Sequence, residues 1–254
     1  MAAAPLTGAG QRAIRLVLEY DGTDFAGWQI QARDRTVQGE LALALQTLLQ
    51  EPICPIGAGR TDAGTHALGQ VAHFHTHSTL PLLRLQRGLN SLLPPDIAVL
   101  RAEEAPADFH VRYSALSKRY RYRIRAAKSA IARRQVWTLY YPLDLEAMQA
   151  ATRALPGAHS FAAFCNQDPV PENFTCCVLE CGWARQEGEM VFEIEADRFL
   201  RHMVRILVGT MVEIGRGRRA PEEMAALLDS ADRRRAGATA PAHGLCLVRV
   251  SYGE

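Results

Sequence analysis

The stretch Gly57-Ala58-Gly59-Arg60-Thr61-Asp62-Ala63-Gly64-Thr65-His66 sets one carboxylate and one guanidinium in a glycine-rich turn between apolar runs. Glycines let a backbone bend tightly and approach a ligand closely. A neighbouring cation holds an aspartate ionised, so Asp62 is the first candidate for a nucleophile or general base, with Arg60 as its partner. On these residues alone, a structural turn closed by a local ion pair fits equally well. A second candidate is Ser117-Lys118-Arg119-Tyr120-Arg121-Tyr122-Arg123-Ile124-Arg125. Strand alternation sends Tyr120, Tyr122 and Ile124 to one side and Arg119, Arg121, Arg123 and Arg125 to the other. Arginines beside aromatics suit nucleic acid, because guanidinium groups contact phosphates while a ring receives an unstacked base. For the strand by itself, tyrosines in the core and arginines in solvent is the preferred reading.

Further along, Asp197-Arg198-Phe199-Leu200-Arg201-His202-Met203-Val204-Arg205 reads as the start of a helix with Arg198, Arg201 and Arg205 near one face. Such a face can follow a phosphate backbone or simply meet solvent. Arg205, set among Val204, Ile206 and Leu207, is the least suited to bulk water. His73, His75 and His77 share a strand face, but they spread over roughly 13 Å, too far to meet one tetrahedral ion easily. Neither a P-loop nor a dinucleotide fingerprint nor a Gly-x-Ser-x-Gly elbow occurs, which points to a reaction without cofactor or metal.

Composition bounds these candidates. The chain has 254 residues, 48% hydrophobic and 22% charged, enough for one large or two smaller domains with a true core. Net charge is only +2, yet nine basic residues and no acid lie between Arg112 and Arg134, whereas Glu180 to Asp197 is mostly acidic. Of 29 basic residues only Lys118 and Lys128 are lysines, an excess of arginine that genome composition can produce without function. The six cysteines lack the spacing of a disulfide framework and are expected reduced and mostly buried. Met1 to Arg12 lacks the features of a signal peptide, and Ala63 to Leu83 carries too many polar residues to span a bilayer. A soluble, cytoplasmic protein is expected.

The elements that must hold the candidates alternate. Strands are expected over Arg12–Tyr20, Ile53–Ala58, Leu68–Thr76 and Asp96–Arg101, with helices after Thr36 and near Leu82–Asn90. The second half offers a strand over Tyr113–Arg125, a helix over Asp144–Leu155, a hairpin of Cys176–Ala184 with Met190–Ala196, a helix over Phe199–Ile214, a short helix over Pro221–Leu228 and a strand over Leu245–Tyr252. This order suggests α+β sheet layers with helices on one side. A disordered tail is expected over 1–11, a first subdomain over 12–110 and a second over 111–254.

Taken together, these segments resemble the TruA-type tRNA pseudouridine synthases. The resemblance runs in order through Glu19-Tyr20-Asp21-Gly22-Thr23, Gly27-Trp28-Gln29, Gly59 to His66, Phe109-His110-Val111-Arg112-Tyr113-Ser114-Ala115, Lys118 to Ile124, Phe199 to Gly209 and Pro241-Ala242-His243-Gly244-Leu245. It implies a two-lobed pseudouridine synthase fold of two RRM-like antiparallel sheet subdomains, helices on one side and an RNA cleft between them. It also implies isomerisation of uridine at positions 38, 39 and 40 in the anticodon arm of tRNA by a cofactor-free homodimer. Asp62 would be the catalytic carboxylate on a flipped-out uridine, Arg60 its partner, and Arg205 a second basic partner. Tyr120 would pack on the target base, Leu245 would line its pocket, and Arg198, Arg201, His202, Arg119 and Arg121 would be further RNA contacts. Thr65 stands where the family often has valine. Two alternatives are a noncatalytic RNA-binding protein, which would leave the Asp62 turn without a purpose, and a metal hydrolase built on the histidine strand.

Overall fold

The computed structural model describes residues 10–166 and 172–253, so the expected tail over 1–11 lies outside it except for Gly10 and Gln11. Contacts divide the chain into two units, the described parts of Met1–Leu116 with Arg249–Glu254, and Ser117–Val248.

In the first unit, β1 (Arg12–Tyr20) alternates as its sequence requires, burying Ile14, Leu16, Leu18 and Tyr20 while Arg15, Val17 and Glu19 stay half-exposed. Thr36 caps α1 (Val37–Leu49) by accepting from the Gly39 amide at 3.2 Å. The helix ends with Gln50 in the left-handed region, before Pro52 can break it. After β2 (Ile56–Gly57), shorter than its apolar run suggested, come β3 (His66–Thr76), α2 (Leu82–Leu92) and β4 (Ile97–Ala105). The strand order is β4-β1-β3 with β2 on β3, all antiparallel. Ile14, Leu16 and Leu18 join Leu41 and Leu45 of α1 and Leu85 and Leu89 of α2 in the core. Burying each such side chain stabilises by about 1.5–3 kcal/mol before chain entropy is counted. The β1–β3 register shifts between Leu18 and Tyr20, the kind of irregularity that re-aims the side chain following it.

The second unit contains β5 (Ala115–Arg125) from Ser117 on, β6 (Trp137–Thr138), α3 (Leu145–Thr152), β7 (Gly157–Ser160), β8 (Thr175–Gln186), β9 (Glu189–Ala196), α4 (Met203–Gly215), α5 (Glu223–Ser230) and the first half of β10 (Leu245–Tyr252). Its order is β5-β9-β8-β7, antiparallel, with β6 parallel to β5. The β8–β9 turn needs only Glu187 and Gly188, both at positive φ, a tighter connection than the gap between the expected strand ends at Ala184 and Met190. Among the described residues the architecture is therefore α+β, with five α-helices and mostly antiparallel strands.

One expected helix starts late. Asp197 Oδ1 accepts from the Arg198 and Cys177 amides at 2.6 and 2.8 Å, and His202 adopts φ 64, so α4 begins only at Met203. Arg198 and Arg201 thus do not share a helix face with Arg205. Nor are the cysteines mostly buried: all six are free, but only Cys165 and Cys176 are buried. No helix among the described residues is long and apolar enough to cross a membrane, and no group of three or more His, Cys, Asp or Glu there is placed to share a metal ion.

Of the three histidines expected on one strand, His73 is buried and His75 half-buried on β3, whereas the strand ends at Thr76 and leaves His77 beyond it and exposed. His73 meets the rings of His75, Phe109 and His110 at 5.7, 5.9 and 5.1 Å. Burial, followed by the neighbouring His110, His75 and Arg112, lowers its pKa to about 4. Unfolded, it would take a proton near 6.5, so unfolding takes up protons between these values. Its contribution to stability is complete above about pH 6.5 and is lost as pH falls toward 4. Urea midpoints measured from pH 7 to pH 4.5 should therefore fall, and His73→Gln should flatten that fall. An unchanged slope in the variant would remove His73 as its source.

Candidate active site

The loop between β2 and β3 carries Asp62, and the chain from Tyr20 to Trp28 holds it. Gly22 and Gly27 lie so close to the loop that a side chain at either would collide with its backbone, at the Thr65 carbonyl and at the Thr61 carbonyl respectively. Gly27 also has φ +98, which other residues rarely adopt. Across this contact the Trp28 amide donates to the Thr61 carbonyl at 3.1 Å and the Gly64 amide to the Phe25 carbonyl at 3.2 Å. The Gly22 amide donates to His66 Nδ1 at 3.1 Å, and within the loop the Thr65 amide donates to the Asp62 carbonyl at 3.1 Å.

Side chains fix the same loop from below. Tyr20 and Thr61, both buried, have their hydroxyls 2.8 Å apart. Gln70 Nε2, on β3, donates to the Gly59 carbonyl at 2.9 Å. The holding segment is itself anchored by Arg35, which grips Asp96 through two hydrogen bonds of 2.7 and 2.9 Å and stacks on Phe25 at 4.1 Å. Its hydrogen bond to Asp96 raises the Arg35 pKa further above an already high value.

On this frame Thr61 points inward, Asp62 is half-buried and Arg60 is exposed. The expected ion pair between Arg60 and Asp62 is not formed: Arg60 makes no salt bridge with any described residue. The inward turn of Thr61 leaves its long, charged neighbour to water. Thr65, where an apolar side chain was noted as usual, has a buried hydroxyl with no partner among the described residues.

The other candidates belong to the second unit. Tyr120 is 7% exposed and meets Phe199 edge-on, with ring centres 4.9 Å apart. Tyr122, two residues on and fully buried, donates its hydroxyl to the Pro241 carbonyl at 2.8 Å, and burial raises its pKa far above the ordinary tyrosine value. Arg205 is half-buried at the start of α4, where its Nε donates to the Ala240 carbonyl at 2.8 Å and its own carbonyl accepts from the Ala240 amide at 3.0 Å. These bonds set the chain that leads to Leu245, which is 5% exposed. Arg198 and Arg201 are exposed and His202 half-buried.

Arg119 and Arg121 have partners of another kind. Arg119 lies opposite Glu195, and Arg121 opposite Glu193, in the β5–β9 register. Arg119 bonds Glu195 at 2.7 Å and Glu180 at 2.6 Å; Arg121 bonds Glu193 at 2.7 Å, and Arg123 bonds Glu189 at 2.7 Å. The hydrogen bond to Glu195 raises the Arg119 pKa. The basic and acidic tracts of the sequence are thus the two sides of one strand pair, and these arginines stand paired with glutamates of the same unit. Hydrophobic alternation alone had no means of showing this; the separate charge blocks were the signal.

Arg35 and Gln70 escaped sequence reading, and Phe199 was read only as a helix residue. Gln70 resembles any polar residue in a strand until its amide is seen to hold the loop.

Comparison with known proteins adds the family. The model for tRNA pseudouridine synthase matches residues 16–114 and 151–253. A protein of Moorella thermoacetica called tRNA pseudouridine synthase A is 47% identical over 94% of this chain and 99% of its own length. Proteins of the same name from Halalkalibacterium halodurans and Geotalea uraniireducens are 46% and 44% identical, over 92% and 95% of this chain and 90% and 100% of their own lengths. With the match spread through both units and including the Asp62 loop, the chain belongs to the tRNA pseudouridine synthase family, a family of isomerases.

Proposed function

We propose that this protein isomerises uridine to pseudouridine at positions 38, 39 and 40 in the anticodon stem-loop of tRNA, without a cofactor, with Asp62 as the catalytic carboxylate. The observation that carries the reading is the half-buried Asp62 on a loop whose backbone is tied on both sides. A reaction that moves one base within one nucleotide needs a fixed charged group more than it needs a reagent.

The chemistry balances within the substrate. The bond from ribose carbon 1′ to ring nitrogen 1 breaks, the uracil turns, and a bond forms from carbon 1′ to carbon 5. The proton on carbon 5 leaves and nitrogen 1 gains one, with nothing oxidised. An ionised Asp62 can serve as nucleophile at carbon 1′ or as base at carbon 2′. The uridine must first leave its stack, at a cost of about a few kcal/mol. In this reading the ring of Tyr120 receives the base and Leu245 lines its pocket. The exposed Arg60 is available to the flipped nucleotide, and Arg205 supplies the second cation. The reading takes each unit as an RRM-like subdomain, and the antiparallel strands in each support it. The reading further assigns a homodimer acting in the cytoplasm, where tRNA is found.

Unmodified tRNA transcript incubated with the protein should acquire pseudouridine in the anticodon arm, and Asp62→Asn should bind the same tRNA yet form none. Substantial turnover by that variant would remove Asp62 from its role.

The ion-pair ladder makes a second, quantitative statement. Exposed Arg198 and Arg201 are assigned the phosphate contacts, with smaller shares for Arg119 and Arg121. In salt titrations of tRNA affinity, Arg201→Gln should reduce the log–log slope by about one unit, whereas Arg121→Gln should leave it nearly unchanged. The reverse order would return the phosphate contacts to β5.

A further inference from the structure

We propose that the buried hydrogen-bond chain Gln70–Tyr20–Thr61 positions the Asp62 carboxylate, an inference that rests on the catalytic role assigned to Asp62 above. The three side chains are 0, 4 and 7% exposed. Gln70 Nε2 donates to the Gly59 carbonyl at 2.9 Å and reaches the Tyr20 hydroxyl at 3.4 Å, while its Oε1 accepts from the Val71 amide at 3.1 Å. The Tyr20 hydroxyl lies 2.8 Å from Thr61 Oγ1. Thr61 is joined directly to Asp62, so the chain runs from the floor of β3 to the residue before the carboxylate.

Packing does not call for these polar groups. Phenylalanine would fill most of the volume of Tyr20 and valine that of Thr61. Replacing both partners of a buried hydrogen bond by apolar groups of the same shape is nearly neutral for stability. What the hydroxyls add is direction. The Thr61 carbonyl is already held by the Trp28 amide at 3.1 Å. A residue tied at both its carbonyl and its side chain can turn only about the line between them, and the next side chain inherits that restraint. The register shift between Leu18 and Tyr20 aims the tyrosine out of the regular ladder toward this contact.

Positioning and packing differ in what they alter. A displacement of one ångström at a reacting group can cost about a hundredfold in rate, whereas tRNA contacts made elsewhere do not depend on a hydroxyl under the loop. Thr61→Val and Tyr20→Phe should each lower kcat about tenfold for pseudouridine formation. KM for the tRNA transcript should stay within about twofold, and the double variant should lose little more than either single one. Thr61→Ser, which keeps the hydroxyl, should restore kcat to within about twofold of the unaltered protein. Thr65→Val removes a buried hydroxyl of the same loop that has no partner among the described residues, and it should leave kcat unchanged.

The proposal is overturned if Thr61→Val and Tyr20→Phe keep full kcat, if Thr61→Ser fails to rescue, or if Thr65→Val loses as much as Thr61→Val. Should Thr61→Val not fold, Tyr20→Phe and Thr61→Ser decide the matter. An inactive unaltered protein, or an active Asp62→Asn, would defeat the functional reading and this inference with it. Inactive Asp62→Asn beside undiminished Thr61→Val and Tyr20→Phe would defeat the positioning role alone.

Discussion

Two stretches of main chain can lie against each other only where no side chain intervenes, and the Asp62 loop depends on that contact. Gly22 and Gly27 let the chain from Tyr20 to Trp28 press on Thr61 to Thr65. The close approach brings amides and carbonyls of the two stretches into hydrogen-bond range. A loop held this way can present a charged side chain without becoming floppy, which is what a carboxylate needs to act on one atom of a large substrate. Arg35 extends the restraint outward by linking the holding segment to Asp96 next to β4.

The second unit solves a different problem. β5 must bury Tyr120 and Tyr122 while its alternate residues carry positive charge. Pairing with β9 resolves this by placing glutamates opposite or diagonal to the arginines. Glu189 and Glu195 are buried and their arginine partners half-buried, so the pairs offset the cost of desolvating those carboxylates, and they fix strand register and exclude a like-charged partner. The consequence for RNA binding is that charge counted along the sequence overstates charge available at the surface.

Much of the fold could be read from periodicity because single residues decided it locally. The alternation of Ile14, Leu16, Leu18 and Tyr20 gave β1, Thr36 gave the start of α1, and the hydrophobic run from Leu245 gave β10 at both ends. Failures arose where a local polar contact overrode the pattern. Asp197 and the left-handed His202 hold back α4 by several residues although its apolar spacing continues upstream. The candidate site was legible as types and order of residues, with Asp62, Tyr120 and Arg205 named from sequence alone. Its geometry was not: whether Arg60 pairs with Asp62, and what Gln70 does with its amide, depend on contacts between segments far apart in the chain.

The central claim is that Asp62 sits on a preorganised loop, rigid before substrate binds. Amide hydrogen exchange of the free protein tests it most directly, because the Gly64 and Thr65 amides donate to the Phe25 and Asp62 carbonyls. Both should exchange as slowly as the amides of β3. Exchange at the rate of an open surface loop would contradict the account.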